Sequence, residues 1–300
     1  MNKTLSIAVV TMNRAEKLKD ALNSCLSCEL PKETEFVIID NASTDNTEQV
    51  VKDVLDACGF NYYYEKMQEN LGVGKGRNYA FEKSNGLYFY SLDDDAVISA
   101  DNKDFFKDAI KVFEENQNIV TLTTQIYDEA WQKNRVESHG RKLTDKLSTC
   151  YSFCGGSHFL KKDFFKSNPY LANKYGYEEL LPSFKAYNEG KLNVFCENLL
   201  VIHKPIVNKW DYSIKDNQSL LVKGFAQPYA IKKMMYPIVF LPIVYFGYKS
   251  RCKKYLSMDK DTKKLAKQII KETVKNSKIS YKLKFKTIVK MYKEFGVTVF

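Results

Sequence analysis

Leu87-Tyr88-Phe89-Tyr90-Ser91-Leu92-Asp93-Asp94-Asp95, residues 87–95, decides the fold. Residues 87–92 form a short aromatic and apolar run that reads as a buried strand, and three consecutive aspartates end it. Adjacent carboxylates repel one another and lower stability unless a cation or polar ligand offsets them. Hard divalent cations take oxygen ligands, and Mg²⁺ or Mn²⁺ commonly joins a carboxylate to a diphosphate. The plainer alternative is a solvated acidic turn that caps the next helix.

Towards the amino terminus the same alternation recurs. Leu5–Thr11 is a β-branched apolar run, and a helix follows with Leu18, Ala21, Leu22 and Cys25 on one face. Phe36–Ile39 predicts a second strand ending at Asp40. Ser43 or Thr44 is placed to cap a helix whose apolar face is Val50, Val51, Val54 and Leu55. Asn61–Tyr64 predicts a third strand, and a Gly-bearing loop, Asn70–Gly76, leads to a helix around Tyr79–Lys83. This spacing predicts an α/β fold whose mostly parallel sheet is covered on both faces. Ligands of such sheets gather outside the carboxyl ends of the strands. Thr11, Asp40 and Asp93–Asp95 each follow a predicted strand, so chain order alone brings them to one rim.

Beyond residue 100 the pattern predicts a helix at Asp104–Glu115, a strand at Ile119–Thr124 and a turn or close backbone approach at Gly155–Gly156. A helix at Tyr177–Glu189 and an extended segment at Val194–His203 follow. After Pro205 no strand pattern appears, and the remainder reads as helices with a Lys-rich face. Two units result, residues 1–205 and residues 206–300.

The net charge of +10 is a property of the tail. Residues 251–300 hold 15 Lys/Arg against 4 Asp/Glu, while the first 250 residues hold 31 against 32. Such a tail suits nucleic acid or anionic lipid. Tyr281, Phe285, Ile288, Tyr292 and Phe295 recur at helical spacing, with Lys282, Lys286, Lys290 and Lys293 off that stripe. A basic amphipathic helix of this kind can lie on a membrane surface, or pack on the rest of the protein with its lysines solvated. The longest apolar run, Tyr236–Tyr248, is interrupted by Pro237 and Pro242 and is too short to span a bilayer. Met1–Val10 lacks the basic-then-apolar layout of a signal peptide. These features give a cytoplasmic expectation, with peripheral attachment to the inner face of the plasma membrane through residues 236–300. Seven cysteines include a C-x-x-C pair, Cys25 and Cys28. Without a second pair or a His ladder, they read as small buried side chains rather than zinc ligands.

Asp40 can accept a hydrogen bond from a base ring N–H. Asn70-Leu71-Gly72-Val73-Gly74-Lys75-Gly76-Arg77-Asn78 suits an anionic ligand through Lys75 and Arg77. It is not a Walker A loop, since no Ser or Thr follows Lys75, and it does not follow the first strand as a dinucleotide fingerprint would. His139 and His158 gain no partner from the sequence.

Taken together these residues resemble glycosyltransferase family two, with its GT-A fold, a Rossmann-like α/β arrangement. The resemblance covers residues 5 to about 203 and rests on Thr11-Met12-Asn13-Arg14, Asp40-Asn41-Ala42-Ser43-Thr44-Asp45, Asn70-Leu71-Gly72 with Gly76-Arg77-Asn78, and Leu92-Asp93-Asp94-Asp95-Ala96. It implies an inverting enzyme that uses a nucleotide sugar, with UDP the usual carrier. Thr11 and Asp40 would hold the base and Asp93 would contact the ribose. Asp95 would bind Mn²⁺ or Mg²⁺ with Asp94 close by, and Asn13, Arg14, Asn70, Gly72 and Arg77 would line the donor. Tyr175-Gly176-Tyr177-Glu178-Glu179 resembles the family's Glu-Asp segment, with Glu179 replacing the usual Asp base and Glu178 the fallback. An acidic first helical turn is the structural alternative. His203 would join the metal, and Gly155 and Gly156 would let an acceptor sugar approach.

The acceptor expected is a saccharide or lipid-linked saccharide of surface polysaccharide or glycolipid synthesis. A nucleotidyltransferase is the rival enzyme, but it would carry a Gly-rich phosphate loop after the first strand, where Thr11–Arg14 has no glycine. A nucleic-acid-binding protein acting through the tail fits poorly with the acidic triplet.

Overall fold

The computed structural model describes residues 3–135, 139–174, 176–205, 218–277, 279 and 281–300. The strands are β1 (Lys3–Thr11), β2 (Thr34–Asp40), β3 (Asn61–Lys66), β4 (Gly86–Asp93), β5 (Ala96–Ile98), β6 (Ile119–Asp128), β7 (Lys133–Asn134), β8 (His139–Lys142), β9 (Leu147–Cys150), β10 (Ser157–Lys161) and β11 (Leu192–His203). The helices are α1 (Ala15–Leu26), α2 (Thr47–Leu55), α3 (Val73–Lys83), α4 (Phe105–Glu115), α5 (Lys162–Phe165), α6 (Leu180–Asn188), α7 (Gln218–Met235), α8 (Leu241–Tyr255), α9 (Lys260–Asn276) and α10 (Phe285–Phe295).

Among the described residues the strands join one sheet in the order β3-β2-β1-β4-β10-β6-β11-β9-β8, with β5 beside β11 and β7 beside β6. The four strands β3-β2-β1-β4 are mutually parallel. β10 then inserts antiparallel between β4 and β6, and β6 and β11 are parallel again. The expected α/β sheet is therefore present, parallel where the candidate rim lies and mixed beyond it.

Burial explains why the parallel half forms. Every residue of β2 is buried, as a strand covered on both faces requires. Leu18, Ala21, Leu22 and Cys25 of α1, with Val51 and Leu55 of α2, cover one face. Ala80 and Phe81 of α3 pack with Val37, Ile39 and Phe89 on the other. Cys25 and Cys28 are buried, and burial pushes both thiols up, Cys28 to about 11. They fill space as the sequence suggested.

Two local expectations are corrected. Ser43 and Thr44 do not cap α2, which begins at Thr47 with Asn46 as its N-cap residue. The Ser43 amide donates to Asp40, its hydroxyl accepts from the Asn13 amide, and Asp45 accepts from Thr47 instead. The helix expected around Tyr79–Lys83 starts at Val73, inside the glycine loop. A Cβ on Gly74 would lie 2.0 Å from the Leu171 carbonyl oxygen, and one on Gly72 (φ +80) 2.5 Å from Lys174 Cα. These glycines let the 171–174 segment lie against the helix start.

The carboxyl-terminal helices build a second core on the far side of α6. Ile231, Met235 and Tyr236 join Ile288, Met291, Phe295 and Val299, and pack with Tyr151, Phe184 and Tyr187. No helix among the described residues is long and apolar enough to cross a membrane.

Candidate active site

Register places the acids. In the parallel ladder Thr11 pairs with Asp40, and Val10 pairs with Asp93. The ends of β2, β1 and β4 therefore lie side by side at one edge, and the aspartate turn leads directly into β5. Asp40 and the triplet share that rim, as chain order predicted.

The rim is a network of neutralised charges. Thr11 Oγ1 donates to Asp94 Oδ2 (2.8 Å), and Arg14 Nη1 reaches both Asp94 Oδ1 (2.7 Å) and Asp95 Oδ2 (2.9 Å). Asp94 and Asp95 are buried, which rules out the freely solvated acidic turn. Burial pushes the Asp94 carboxyl up to about 6, although Arg14 pulls the other way. Burial acts on Asp95 in the same sense, but His203 and Arg14 outweigh it and hold that carboxyl below its ordinary range. Asp40 accepts from the Ser43 amide (2.7 Å) and from the Tyr64 hydroxyl (2.9 Å), an interaction that, after burial, raises the tyrosine's pKa. Asn13, at φ 53°, accepts from the Thr44 amide and ties the β1 turn to the β2 turn.

Arg77 is the second hub. Only 3 % exposed on α3, it donates to Glu178 Oε1 (2.5 Å), Asp93 Oδ1 (2.6 Å) and the Gly155 carbonyl (2.7 Å). Burial opposes the guanidinium charge, yet Asp93 and Glu178 outweigh it and raise its pKa. Asn70 turns its carbonyl to the Gly72 amide (2.8 Å), shaping the approach to α3. A Cβ on Gly155 would meet Arg77 Nη1 at 2.8 Å, so the guanidinium already uses the space that glycine leaves. Gly156 borders Asp93 instead, with Oδ2 3.3 Å from a notional Cβ.

The helix expected from Tyr177 starts at Leu180, with Glu179 as its N-cap residue and Glu178 in the preceding turn. Tyr175, the first residue of that motif, lies outside the described residues. Glu178 is buried against Arg77, and Glu179 is half-buried. Glu178 Oε2 and Asn41 Oδ1 are buried without a hydrogen-bond partner among the described residues.

Asp128 and Arg135, which hold the expected His203, carried no usable sequence signal, and His158 carried none for its role. Arg135 and His203 both contact Asp128 Oδ2, at 2.8 and 3.0 Å, which fixes the imidazole on β11. His203 Nε2 then lies 3.4 Å from Asp95 Oδ1. His158 sits between the Tyr170 hydroxyl (2.6 Å) and the Gly155 carbonyl (3.1 Å), and burial, then Arg77, holds it well below the usual histidine range. Tyr64 was foreseeable, because it stands on the strand beside Asp40.

Among the described residues no group of three or more His, Cys, Asp or Glu forms a ready-made metal cage. Asp95 and His203 could nevertheless hold a hard cation, since Mg²⁺-like ions are often bound by one or two carboxylates and complete their shell with water and substrate phosphates. The donor set fits such an ion.

The sequence model of Glycosyl transferase family 2 matches residues 6–170. The chain belongs to glycosyltransferase family 2. Its rim, hub and glycine loop all fall within that match or directly beside it.

Among curated relatives, poly(ribitol-phosphate) β-N-acetylglucosaminyltransferase TarS of Staphylococcus aureus is 33% identical over 119 residues, covering 39% of this chain and 20% of TarS. The uncharacterized glycosyltransferase YfnE of Bacillus subtilis is 28% identical over 218 residues, 72% of this chain and 52% of YfnE. The chain thus spans about one fifth of TarS and half of YfnE. Among solved structures, S. aureus TarS 1-349 with UDP-GlcNAc aligns at TM-score 0.62 and 17% identity, over 95% of this chain and 83% of that one. The Pyrobaculum calidifontis mannosyltransferase PcManGT with GDP-Man and Mn²⁺ aligns at 0.60 and 15%, over 93% and 77%. These likenesses establish the GT-A-like fold. Family membership supports glycosyl transfer over nucleotidyl transfer.

Proposed function

We propose that this family 2 protein transfers a sugar from a nucleotide sugar, a UDP-sugar foremost, to an acceptor hydroxyl with inversion. One observation carries the reading: Asp40 and the aspartate turn share the rim of adjacent parallel strands, and Arg77 joins that rim to Glu178, next to Glu179. Residues 1–205 form the catalytic unit in this proposal, and residues 206–300 a helical unit packed against it.

Thr11 and Asp40 hold the base, Asn13 lines the donor beside them, and Asp93 meets the ribose. Arg14, Asn70, Gly72, Arg77 and Asp94 complete the donor wall. Asp95 and His203 hold a divalent cation, which when bound offsets the charge that grows on the departing diphosphate. The acceptor hydroxyl is a weak nucleophile until a carboxylate takes its proton. Glu178 is committed to Arg77, whereas Glu179 at the mouth of α6 is half-buried, so Glu179 acts as base and Glu178 anchors it. Attack opposite the leaving group inverts the anomeric centre. Gly156, beside Asp93, gives the acceptor close backbone approach, and Gly155 helps by seating Arg77.

The activities of TarS and of the poly-β-1,6-N-acetyl-D-glucosamine synthase of Staphylococcus epidermidis support a place in surface polysaccharide synthesis, with a saccharide or lipid-linked saccharide as the acceptor we propose. A cytoplasmic enzyme held at the inner face of the plasma membrane through residues 236–300 would suit such an acceptor. The test is nucleoside diphosphate release (UDP or GDP) from a panel of UDP- and GDP-sugars with Mn²⁺. Release from one donor, accelerated by a saccharide acceptor, is expected. No turnover of any nucleotide sugar, with pyrophosphate released from a nucleoside triphosphate instead, would refute it.

A further inference from the structure

Helix α10 does not use its apolar stripe as one surface. Ile288, Met291 and Phe295 turn inward to the core they share with Tyr151 and Tyr187. Phe285 and Tyr292, on the same stripe, turn outward, 58% and 47% exposed. The remaining exposed apolar groups come from elsewhere. Ile238 (80%), Val239 and Ile243 stand out around the start of α8, Phe246 (68%) on α8 itself, and Val297 (76%) just after α10.

These groups are tied to one another. The Phe240 ring lies 5.0 Å from Phe285 and 5.9 Å from Phe300, and Phe300 lies 5.6 Å from Tyr292. Gly247, beside Phe246, lies against the Phe300 backbone. The start of α8 and the outer side of α10 therefore border one surface. Scattered apolar residues need no explanation, but a joined set rimmed by charge marks an interaction face.

The rim is predominantly basic, and the acid beside it on α10, Glu294, is turned to Thr149 and Arg141. Residues 236–258 hold four Lys/Arg, residues 273–293 hold seven, and neither stretch contains an Asp or Glu. Lys249, Lys253, Lys286 and Lys293 are exposed. Phe246, Phe285 and Tyr292 are exposed rings, but they are interspersed with aliphatic Ile238, Val239, Ile243 and Val297, a mixture that suits acyl chains better than a row of stacked bases. Apolar side chains above a lysine rim match a bilayer with anionic headgroups.

We propose that this face docks on an anionic phospholipid bilayer, with Ile238, Val239, Phe246 and Phe285 entering the acyl boundary and the lysines meeting headgroups. The inference rests on the peripheral location proposed above and is independent of the transfer chemistry. The full chain is floated with phosphatidylcholine vesicles, with and without phosphatidylglycerol, beside Ile238→Asp/Phe246→Asp and Lys249→Gln/Lys253→Gln/Lys286→Gln/Lys293→Gln. Thermal shift with UDP and Mn²⁺ is read on every form. Flotation only with phosphatidylglycerol is expected. It should fall at least about tenfold in the apolar variant and about fivefold per lysine in the other, with the UDP shift unchanged. Absent flotation, flotation that ignores both variants, or tighter capture of single-stranded RNA than of vesicles would overturn the proposal. A UDP shift missing even from the unmodified chain counts against the donor site alone, and the flotation result stands.

Discussion

The rim of the parallel sheet and the outer face of the carboxyl-terminal helices both concentrate charge, and they treat it in opposite ways. At the rim, Arg14 is bound to Asp94 and Asp95, Arg77 to Asp93 and Glu178, and His203 lies between Asp95 and Asp128. Most of these groups are buried, where an uncompensated ion would be very unfavourable. On the helical face, lysines outnumber acids and stand in solvent around exposed apolar side chains. Charge balanced inside the protein fixes geometry; charge left unbalanced outside favours an external partner. The rim is organised for chemistry and the face for location.

That contrast is most easily broken at Asp95. Asp95→Ala should lower turnover of the nucleotide sugar by at least about a thousandfold, with the circular dichroism spectrum retained. Glu179→Gln should reduce kcat by about a hundredfold to ten-thousandfold with little change in donor KM. Full activity in either variant would overturn its assignment. Glu178→Gln sharpens the distinction between the two glutamates, because it strips the buried Arg77 of one counter-charge. It should lower unfolding stability by about 3 kcal/mol, a loss that denaturant titration would detect and that Glu179→Gln should not share.

Lys232 departs from this pattern, being buried within the helical region. Its Nζ is buried and donates to the Thr298 carbonyl, and burial, reinforced by Arg251, lowers its pKa to about 7 from 10.5. Between those two pH values the unfolded chain holds a proton that the folded chain lacks, so this group makes stability rise with pH across that window. Lys232→Met should remove that component, by at most about 1.4 kcal/mol per pH unit, in melts recorded from pH 7 to 10. The smallest effect belongs to the solvated lysines: Lys249→Gln/Lys253→Gln should change stability by no more than about 0.5 kcal/mol per site.

Strand-then-acid punctuation made the parallel half legible. Each of β1, β2 and β4 ends where its apolar run meets Thr11, Asp40 or Asp93, because a parallel strand covered on both faces reads as a near-continuous apolar run and a polar residue marks its end. Asp128 and Arg135 were hidden because their importance depends on β6 and β7 pairing beside β11, a long-range arrangement with no local pattern. The strands β5, β7, β8, β9 and β10 carried no legible signal for the same reason. Gly72 and Gly74 suggested a ligand loop, whereas their local requirement is the 171–174 segment lying against them, a contact separated by about a hundred residues of sequence. The α10 stripe was visible as a period, but periodicity cannot divide one stripe between a core and a surface.

The most direct test of the donor rim is calorimetric titration of the unmodified chain, Asp40→Ala and Asp95→Ala with UDP, each with and without Mn²⁺. The account predicts metal-enhanced binding by the unmodified chain, loss of the metal enhancement in Asp95→Ala, and weakened binding in Asp40→Ala whether or not metal is present. UDP affinity that is indifferent to Mn²⁺ and to both substitutions would contradict it.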